Sequence, residues 1–174
     1  VPSVEYRFGN KSIYLFSPDD VEKYRKELNI KEHNDSTIKE DFFEFLEERD
    51  YSLSYKMPFL LAIVKHIDSI GDAKIEEVLD DYIAFYQNRL SRGLQVDRST
   101  CPYDEKMLKD RKAVQRNMLT NPFEKFERKR FLYYLSVISM NHALFGQMKA
   151  EDWERVRKQM REDLRKYYDG MGGV

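Results

Sequence analysis

The chain has 174 residues, and its 41% hydrophobic and 35% charged residues fit one domain with a substantial core, or one domain with a small appendage. No apolar stretch reaches the roughly 18 residues that a membrane-spanning helix needs, so we expect no membrane partner. A single cysteine, Cys101, excludes an internal disulfide bond and favours a reducing, cytoplasmic location.

Charge is unevenly distributed along the chain, although the net charge is only −1. Residues 1–50 carry 8 basic and 13 acidic side chains, whereas residues 101–174 carry 16 basic and 11 acidic ones. Such asymmetry can mark an acidic partner for the basic end, nucleic acid included. The chain starts with Val1-Pro2 and no initiator Met, which suggests a piece of a longer polypeptide.

Residues 1–50 are predicted to form an acidic appendage made of a β-hairpin and two helices. The segment "VEYRFGNKSIYLF" alternates apolar and polar residues around Gly9-Asn10, which is typical of a hairpin with a two-residue turn. Ser17 has the position of an N-cap for the first helix. The second helix, "IKEDFFEFLEERD", is acidic.

A second domain is predicted over residues 51–168, and its densest apolar run is "SLSYKMPFLLAIVKHI" at residues 52–67. Because Pro58 is tolerated only in the first turn, the helix should begin between Ser54 and Met57. A helix that is apolar on nearly every side is a buried one. We therefore expect a central helix on which the others pack, and we expect Leu61→Asp to unfold the domain.

An amphipathic helix follows, with Asp72 as the expected N-cap and Gly93 as the stop. A third helix, "DEKMLKDRKAVQRNML", is predicted to continue up to Asn121-Pro122. The segment "FEKFERKRFLYYLSVISMN" then favours a β-hairpin with the basic "ERKR" near its turn. A last helix from Ala150 or Glu151 to Tyr168 precedes residues 169–174, for which we expect a frayed tail.

The predicted fold class is mainly α with small β-hairpins. Over residues 52–140 the order is buried helix, turn, amphipathic helix, loop, basic helix and hairpin. This is the order of a winged helix-turn-helix domain, in which the third helix enters the major groove and the hairpin contacts the backbone.

Two groups of basic residues are the predicted nucleic-acid-binding site. At about 100° per residue, the third helix places a cationic stripe opposite Met107, Val114 and Met118, as phosphate contact requires. The stripe consists of Lys109, Lys112 and Arg116, and Lys106 flanks it. The hairpin group, expected at the tip of the wing, is Lys125, Arg128, Lys129 and Arg130. The alternative for both groups is an ordinary solvated face.

Catalytic, metal and cofactor sites are not predicted. The histidines His33, His66 and His142 lack metal-ligand spacing, and the chain contains neither a P-loop nor a dinucleotide-binding motif. Cys101 has no neighbouring histidine to activate it. The triplets Glu127-Arg128-Lys129 and Asp72-Ala73-Lys74 have the acidic-x-Lys form of some metal-dependent nucleases, but such triplets arise by chance in lysine-rich chains.

Three segments follow one another in the order "SLSYKMPFLLAIVKHI", "FYQNRLSRGLQVDR" and "NMLTNPFEKFERKRFL". Together they resemble the region after the motor in bacterial superfamily 2 DNA helicases. These DEAD/DEAH-like proteins are linked to restriction and phage defence. The resemblance covers roughly residues 50–168 and implies a C-terminal accessory domain that helps a motor or nuclease to hold DNA, or that docks to it. It carries over no catalytic residue, because the ATPase motifs are absent.

The sequence therefore predicts a non-catalytic DNA-binding accessory domain of a larger helicase or restriction-type enzyme, with weak, non-specific and salt-sensitive binding. The alternative is a docking domain that binds the remainder of its parent polypeptide, or another protein, without contacting nucleic acid. Near-neutral charge and abundant tyrosine, a residue favoured at interfaces, support that alternative. A metal-dependent nuclease is a third hypothesis.

Overall fold

A computed structural model describes residues 4–8 and 11–174. The chain is mainly helical with two small antiparallel sheets, which confirms the predicted fold class. It divides into two compact units, an N-terminal unit that ends at Thr37 and a C-terminal unit from Ile38 to Val174. No helix in the described part of the chain is both long enough and apolar enough to cross a lipid bilayer.

The N-terminal unit consists of a hairpin and one helix. Strand β1 (Val4–Phe8) pairs antiparallel with β2 (Lys11–Leu15), and α1 runs over Pro18–Glu27. The Ser17 hydroxyl accepts a hydrogen bond of 3.1 Å from the backbone N–H of Asp20, as the predicted N-cap requires. The expected Gly9-Asn10 turn lies outside the described residues.

The C-terminal unit contains the remaining helices and a three-stranded sheet. In chain order its elements are α2 (Ile38–Glu47), α3 (Lys56–His66), β3 (Asp72–Ala73), α4 (Ile75–Ser91), α5 (Glu105–Lys109), α6 (Arg111–Met118), α7 (Glu124–Arg128), β4 (Leu132–Tyr134), β5 (Ile138–Met140), α8 (His142–Gln147) and α9 (Ala150–Tyr168).

Helix α2 belongs to this C-terminal unit, so the predicted boundary after residue 50 is wrong by one helix. The reason is that α2 buries Phe42 and Phe45 in the core. The two rings contact Phe131, with centroid distances of 5.3 and 5.5 Å. Helix α2 therefore has an acidic exposed face and an apolar buried face, and the buried face joins it to the C-terminal unit.

Helix α3 is the central helix, and it packs mainly against α4 and α9. Its start at Lys56, with Pro58 in the first turn, agrees with the prediction. Leu60 is fully buried, but Leu61 is only half-buried at the edge of a groove. Leu61 packs against the core from this half-buried position, so Leu60 is the more direct position for a substitution that tests the core.

The three-stranded sheet has the order β3-β5-β4, and both pairs of strands are antiparallel. Helices α3, α4 and α6 precede the hairpin in the predicted order, but helix α7 lies between α6 and β4, where no helix is predicted. The hairpin of the wing is β4–β5, and its turn exposes Leu135, at 93% of its full surface.

The predicted third helix is broken at Asp110. The Asp104 side chain accepts from the backbone N–H of Met107 and starts α5, and Asp110 accepts from the N–H of Ala113 and starts α6. Two aspartate caps six residues apart favour two short helices over one long helix.

The prediction that "ERKR" lies at a hairpin turn is also wrong. Residues Glu124–Arg128 form helix α7, because Phe123 and Phe126 are both buried at a spacing of three, which is helical. A strand would have turned these two rings to opposite faces. The basic residues therefore lie before the wing and not at its tip.

Three further predictions concern the ends of α4 and of the chain. Gly93 has a φ of 68° and ends α4 as expected. Asp72 lies in β3 and does not cap α4, whose N-cap residue is Lys74. The frayed tail is contradicted, because the buried guanidinium of Arg89 donates hydrogen bonds to the carbonyls of Met171 and Gly173.

Candidate nucleic-acid interface

The first group of predicted site residues lies on two helices. Lys106 and Lys109 are on α5, whereas Lys112 and Arg116 are on α6, and all four side chains are exposed. The break at Asp110 removes the continuous stripe expected from one long helix. Lys112 and Arg116, four residues apart, remain neighbours on one exposed face of α6.

Arg111, which is not among the predicted site residues, has a structural role. Its Nη2 donates to Glu76 at 2.8 Å, and its Nη1 forms an ion pair with Asp80, both on α4. This fork holds the start of α6 against α4 and raises the pKa of Arg111 through the two carboxylates. Lys112 and Arg116 are left facing outward.

The second predicted group is where the structure brings cations together. Lys125 and Arg128 of α7, with Lys129 after it, line one cavity of about 300 Å³. We call this cavity the α7 pocket, and its walls are formed by Phe45, Glu48, Asp50, Lys56, Lys125, Arg128 and Lys129. Arg130, with a φ of 61°, is exposed and is not among the lining residues, and neither are the basic residues of α5 and α6.

Lys56 is the residue of the α7 pocket that sequence reasoning missed. It sits in the first turn of α3 and is only 4% exposed. Its Nζ lies 3.8 Å from the centroid of the Phe45 ring and donates one long hydrogen bond, 3.5 Å, to the Phe45 carbonyl. Burial, followed by the charge of Lys125, lowers the pKa of Lys56 from 10.5 to about 8. The ammonium is therefore still charged at pH 7, at a cost in free energy.

Phe45 explains how three separate segments form this pocket. Its ring packs on Phe126 of α7 with a centroid distance of 5.1 Å and also covers the Lys56 ammonium at the start of α3. One aromatic side chain on α2 thus contacts both α3 and α7. The cationic side chains of both helices then point into the same space.

The charges of the α7 pocket are only partly compensated. Its four cations face two carboxylates, Glu48 and Asp50. Arg128 pairs with Glu124 at 3.2 Å and Lys129 lies 4.0 Å from Glu48, both at exposed positions. Exposed pairs of this kind contribute at most about 1 kcal/mol, so an incoming anion can displace them. Lys125 has no ion pair among the described residues.

The groups with possible enzymatic chemistry are dispersed. Over residues 4–8 and 11–174, no three His, Cys, Asp or Glu side chains lie close enough to hold a metal ion. His66 is half-buried and its Nε2 lies 2.7 Å from Asp81, as expected for a hydrogen-bonded boundary histidine. Burial raises the pKa of the Cys101 thiol, whose sulfur lies 3.3 Å from the Tyr55 hydroxyl. A raised pKa makes Cys101 a poor nucleophile.

Comparison of the chain with protein families, with curated proteins and with solved structures finds no match.

Proposed function

We propose that the chain is a non-catalytic DNA-binding accessory module, and that it contacts backbone phosphates with the α7 pocket. The observation that carries this proposal is the convergence of Lys56, Lys125, Arg128 and Lys129 on one cavity. Lysine and arginine side chains supply the sequence-independent part of DNA affinity by neutralising phosphates and releasing counterions.

The chemistry of the pocket favours phosphate over a small carboxylate. Arg128 can offer two parallel N–H donors to phosphate oxygens, and the lysines add point charges around them. None of these side chains is assigned to a base edge, so the binding is non-specific and sensitive to salt. Helix α6 supports the same proposal, because Lys112 and Arg116 form no ion pair within the described part of the chain and can contact further phosphates.

Fluorescence anisotropy with a labelled 20-base-pair duplex at low salt tests the proposal. We expect Lys125→Glu together with Lys129→Glu to weaken binding by about tenfold or more, since two phosphate contacts become repulsive. Lys158→Glu with Lys166→Glu is the matched control, because it makes the same charge change at two exposed positions of α9. Equal affinities of the two double variants would refute the proposal.

The proposed setting is a larger DNA-handling enzyme in the cytoplasm. The resemblance of residues 50–168 to the region after the motor in superfamily 2 helicases supports such a parent, and the single cysteine supports the compartment. In that setting the parent supplies the catalysis and this module supplies affinity for DNA.

Docking to the parent or to another protein is a second proposed role, and the N-terminal unit supports it. Val21 and Tyr24 of α1 and Leu28 directly after it recur at a spacing of three and four residues, and all three are exposed. Exposed apolar patches of this kind mark interaction sites. The other exposed apolar side chains of this unit are Val4, Tyr6, Ile13, Tyr14, Leu15, Phe16 and Ile30.

Five of the 12 tyrosines belong to the core, so they do not contribute to the docking role. The fully or nearly fully buried tyrosines are Tyr55, Tyr82, Tyr86, Tyr103 and Tyr168.

Analytical ultracentrifugation with the remainder of the parent chain tests docking. We expect the native chain to form a complex with it, and we expect Val21→Ser together with Leu28→Ser to abolish that complex. Two separate species with the native chain would refute the docking role.

A further inference from the structure

The cations of the α7 pocket lie at different depths. Lys129 and Arg128 are on the rim, with half or more of each side chain exposed. Lys56 lies at the bottom, where only 4% of it is exposed. A ligand that uses all of these cations must therefore enter the cavity, and a ligand that lies across the surface reaches only the rim.

This depth distinguishes between two kinds of DNA phosphate. An internal phosphodiester is joined to a sugar on both sides and follows the surface of the duplex, so it can meet Arg128 and Lys129 but not Lys56. A phosphate at a strand end is joined on one side only. It can be inserted into a cavity of about 300 Å³ while the duplex remains outside.

The hydrogen-bonding capacity of Lys56 also favours a terminal phosphate. An ammonium has three N–H donors, and the described residues provide it with a single acceptor, the Phe45 carbonyl at 3.5 Å. A phosphate monoester offers three terminal oxygens and a charge of about −1.5 to −2 at pH 7. An internal phosphodiester carries one negative charge only.

The two carboxylates of the pocket limit it to one phosphate. Glu48 and Asp50 line the same cavity as the cations, so a second phosphate that followed the first would meet like charge. This repulsion disfavours a continuous backbone in the pocket and leaves a chain end as the better ligand.

We propose that the α7 pocket holds the terminal phosphate monoester of a DNA strand end, with Lys56 as its innermost contact. This inference rests on the proposed DNA-binding function, and it adds that the module recognises ends.

The experiment compares three duplexes of identical sequence that carry a 5′-phosphate, a 3′-phosphate or hydroxyl groups only at their ends. Fluorescence anisotropy of the native chain should show about tenfold tighter binding of at least one phosphorylated duplex, as expected for added charge-assisted hydrogen bonds. The preference should disappear in Lys56→Met and persist in Lys158→Met, the control on α9. If Lys56→Met does not fold, Lys125→Gln should reduce the preference instead.

The outcomes separate the two proposals. Equal binding of all three duplexes by the native chain would overturn the inference and leave the proposed function standing. Absence of binding to any duplex at low salt would remove both. A preference that survives in Lys56→Met and in Lys125→Gln would show that the end is recognised outside the α7 pocket, and would also overturn the inference.

Discussion

Replacing Lys56 with methionine gives a direct measure of what this buried lysine costs the fold. Burial lowers the pKa of Lys56 from 10.5 to about 8, and each unit corresponds to about 1.4 kcal/mol. The charged side chain therefore costs about 3 kcal/mol at pH 7. Its attraction to the Phe45 ring offsets about 1–2 kcal/mol of this. Methionine keeps a stem of similar length without the charge, so Lys56→Met should raise the free energy of unfolding by about 1–2 kcal/mol.

The advantage of methionine should depend on pH in a defined direction. Below pH 8, Lys56 is protonated in both the folded and unfolded states, and the full cost of burial is present. Between pH 8 and 10.5 the folded protein releases the proton while the unfolded chain keeps it, so the cost falls as pH rises. The gain from Lys56→Met should thus be largest near pH 7 and shrink towards pH 9.5.

Urea denaturation followed by circular dichroism at pH 7 and pH 9.5 measures both quantities, with Lys158→Met on α9 as the exposed control. The control should change the free energy of unfolding by less than about 0.5 kcal/mol. If Lys56→Met destabilised the protein by 1 kcal/mol or more at pH 7, Lys56 would be a structural residue. A difference that did not change with pH would refute the burial argument.

Three further predictions concern the core and the thiol. Leu60→Ala should cost about 2–5 kcal/mol in thermal or urea denaturation because Leu60 is fully buried, whereas Leu61→Ala, at the edge of a groove, should cost clearly less. Asp163→Asn should cost about 2 kcal/mol, because this buried carboxylate accepts from a guanidinium and a tyrosine hydroxyl; a neutral effect would contradict that account. Cys101 should react with a disulfide reagent more slowly in the folded than in the unfolded chain, because burial raises the pKa of its thiol.

The parts of the fold that the sequence predicted are those set by local rules. The cap at Ser17, the stop at Gly93 and the first-turn proline of α3 each act within a few residues, and the structure has all three. The buried character of α3 is also predictable, because the helix is apolar on nearly every side.

The parts that the sequence did not predict depend on contacts between distant residues or on a choice between two patterns. Lys56 is buried because Phe45, eleven positions earlier, covers its ammonium. The C-terminal tail is ordered because Arg89 bonds to carbonyls more than 80 positions away. For Phe123 and Phe126 the spacing fits a helix, but the alternation of charge around them also fitted a strand.

For the eight predicted site residues, too, the sequence predicts what is local and does not predict contacts between distant segments. The sequence locates the basic segments, since lysine and arginine are commonly exposed. It could not determine which of them would meet, because this depends on how α7 packs on α2. The structure joins Lys125, Arg128 and Lys129 with Lys56, and leaves Arg130 and the residues of α5 and α6 outside that cavity.

The salt dependence of DNA binding tests most directly whether the α7 pocket contacts phosphates. Each phosphate contact contributes about 0.9 to the slope of log affinity against log salt concentration. Replacing Lys125 and Lys129 with glutamine should therefore reduce that slope by about 2, in anisotropy titrations of a hydroxyl-ended duplex from low to moderate salt. An unchanged slope with unchanged affinity would show that DNA does not touch this pocket.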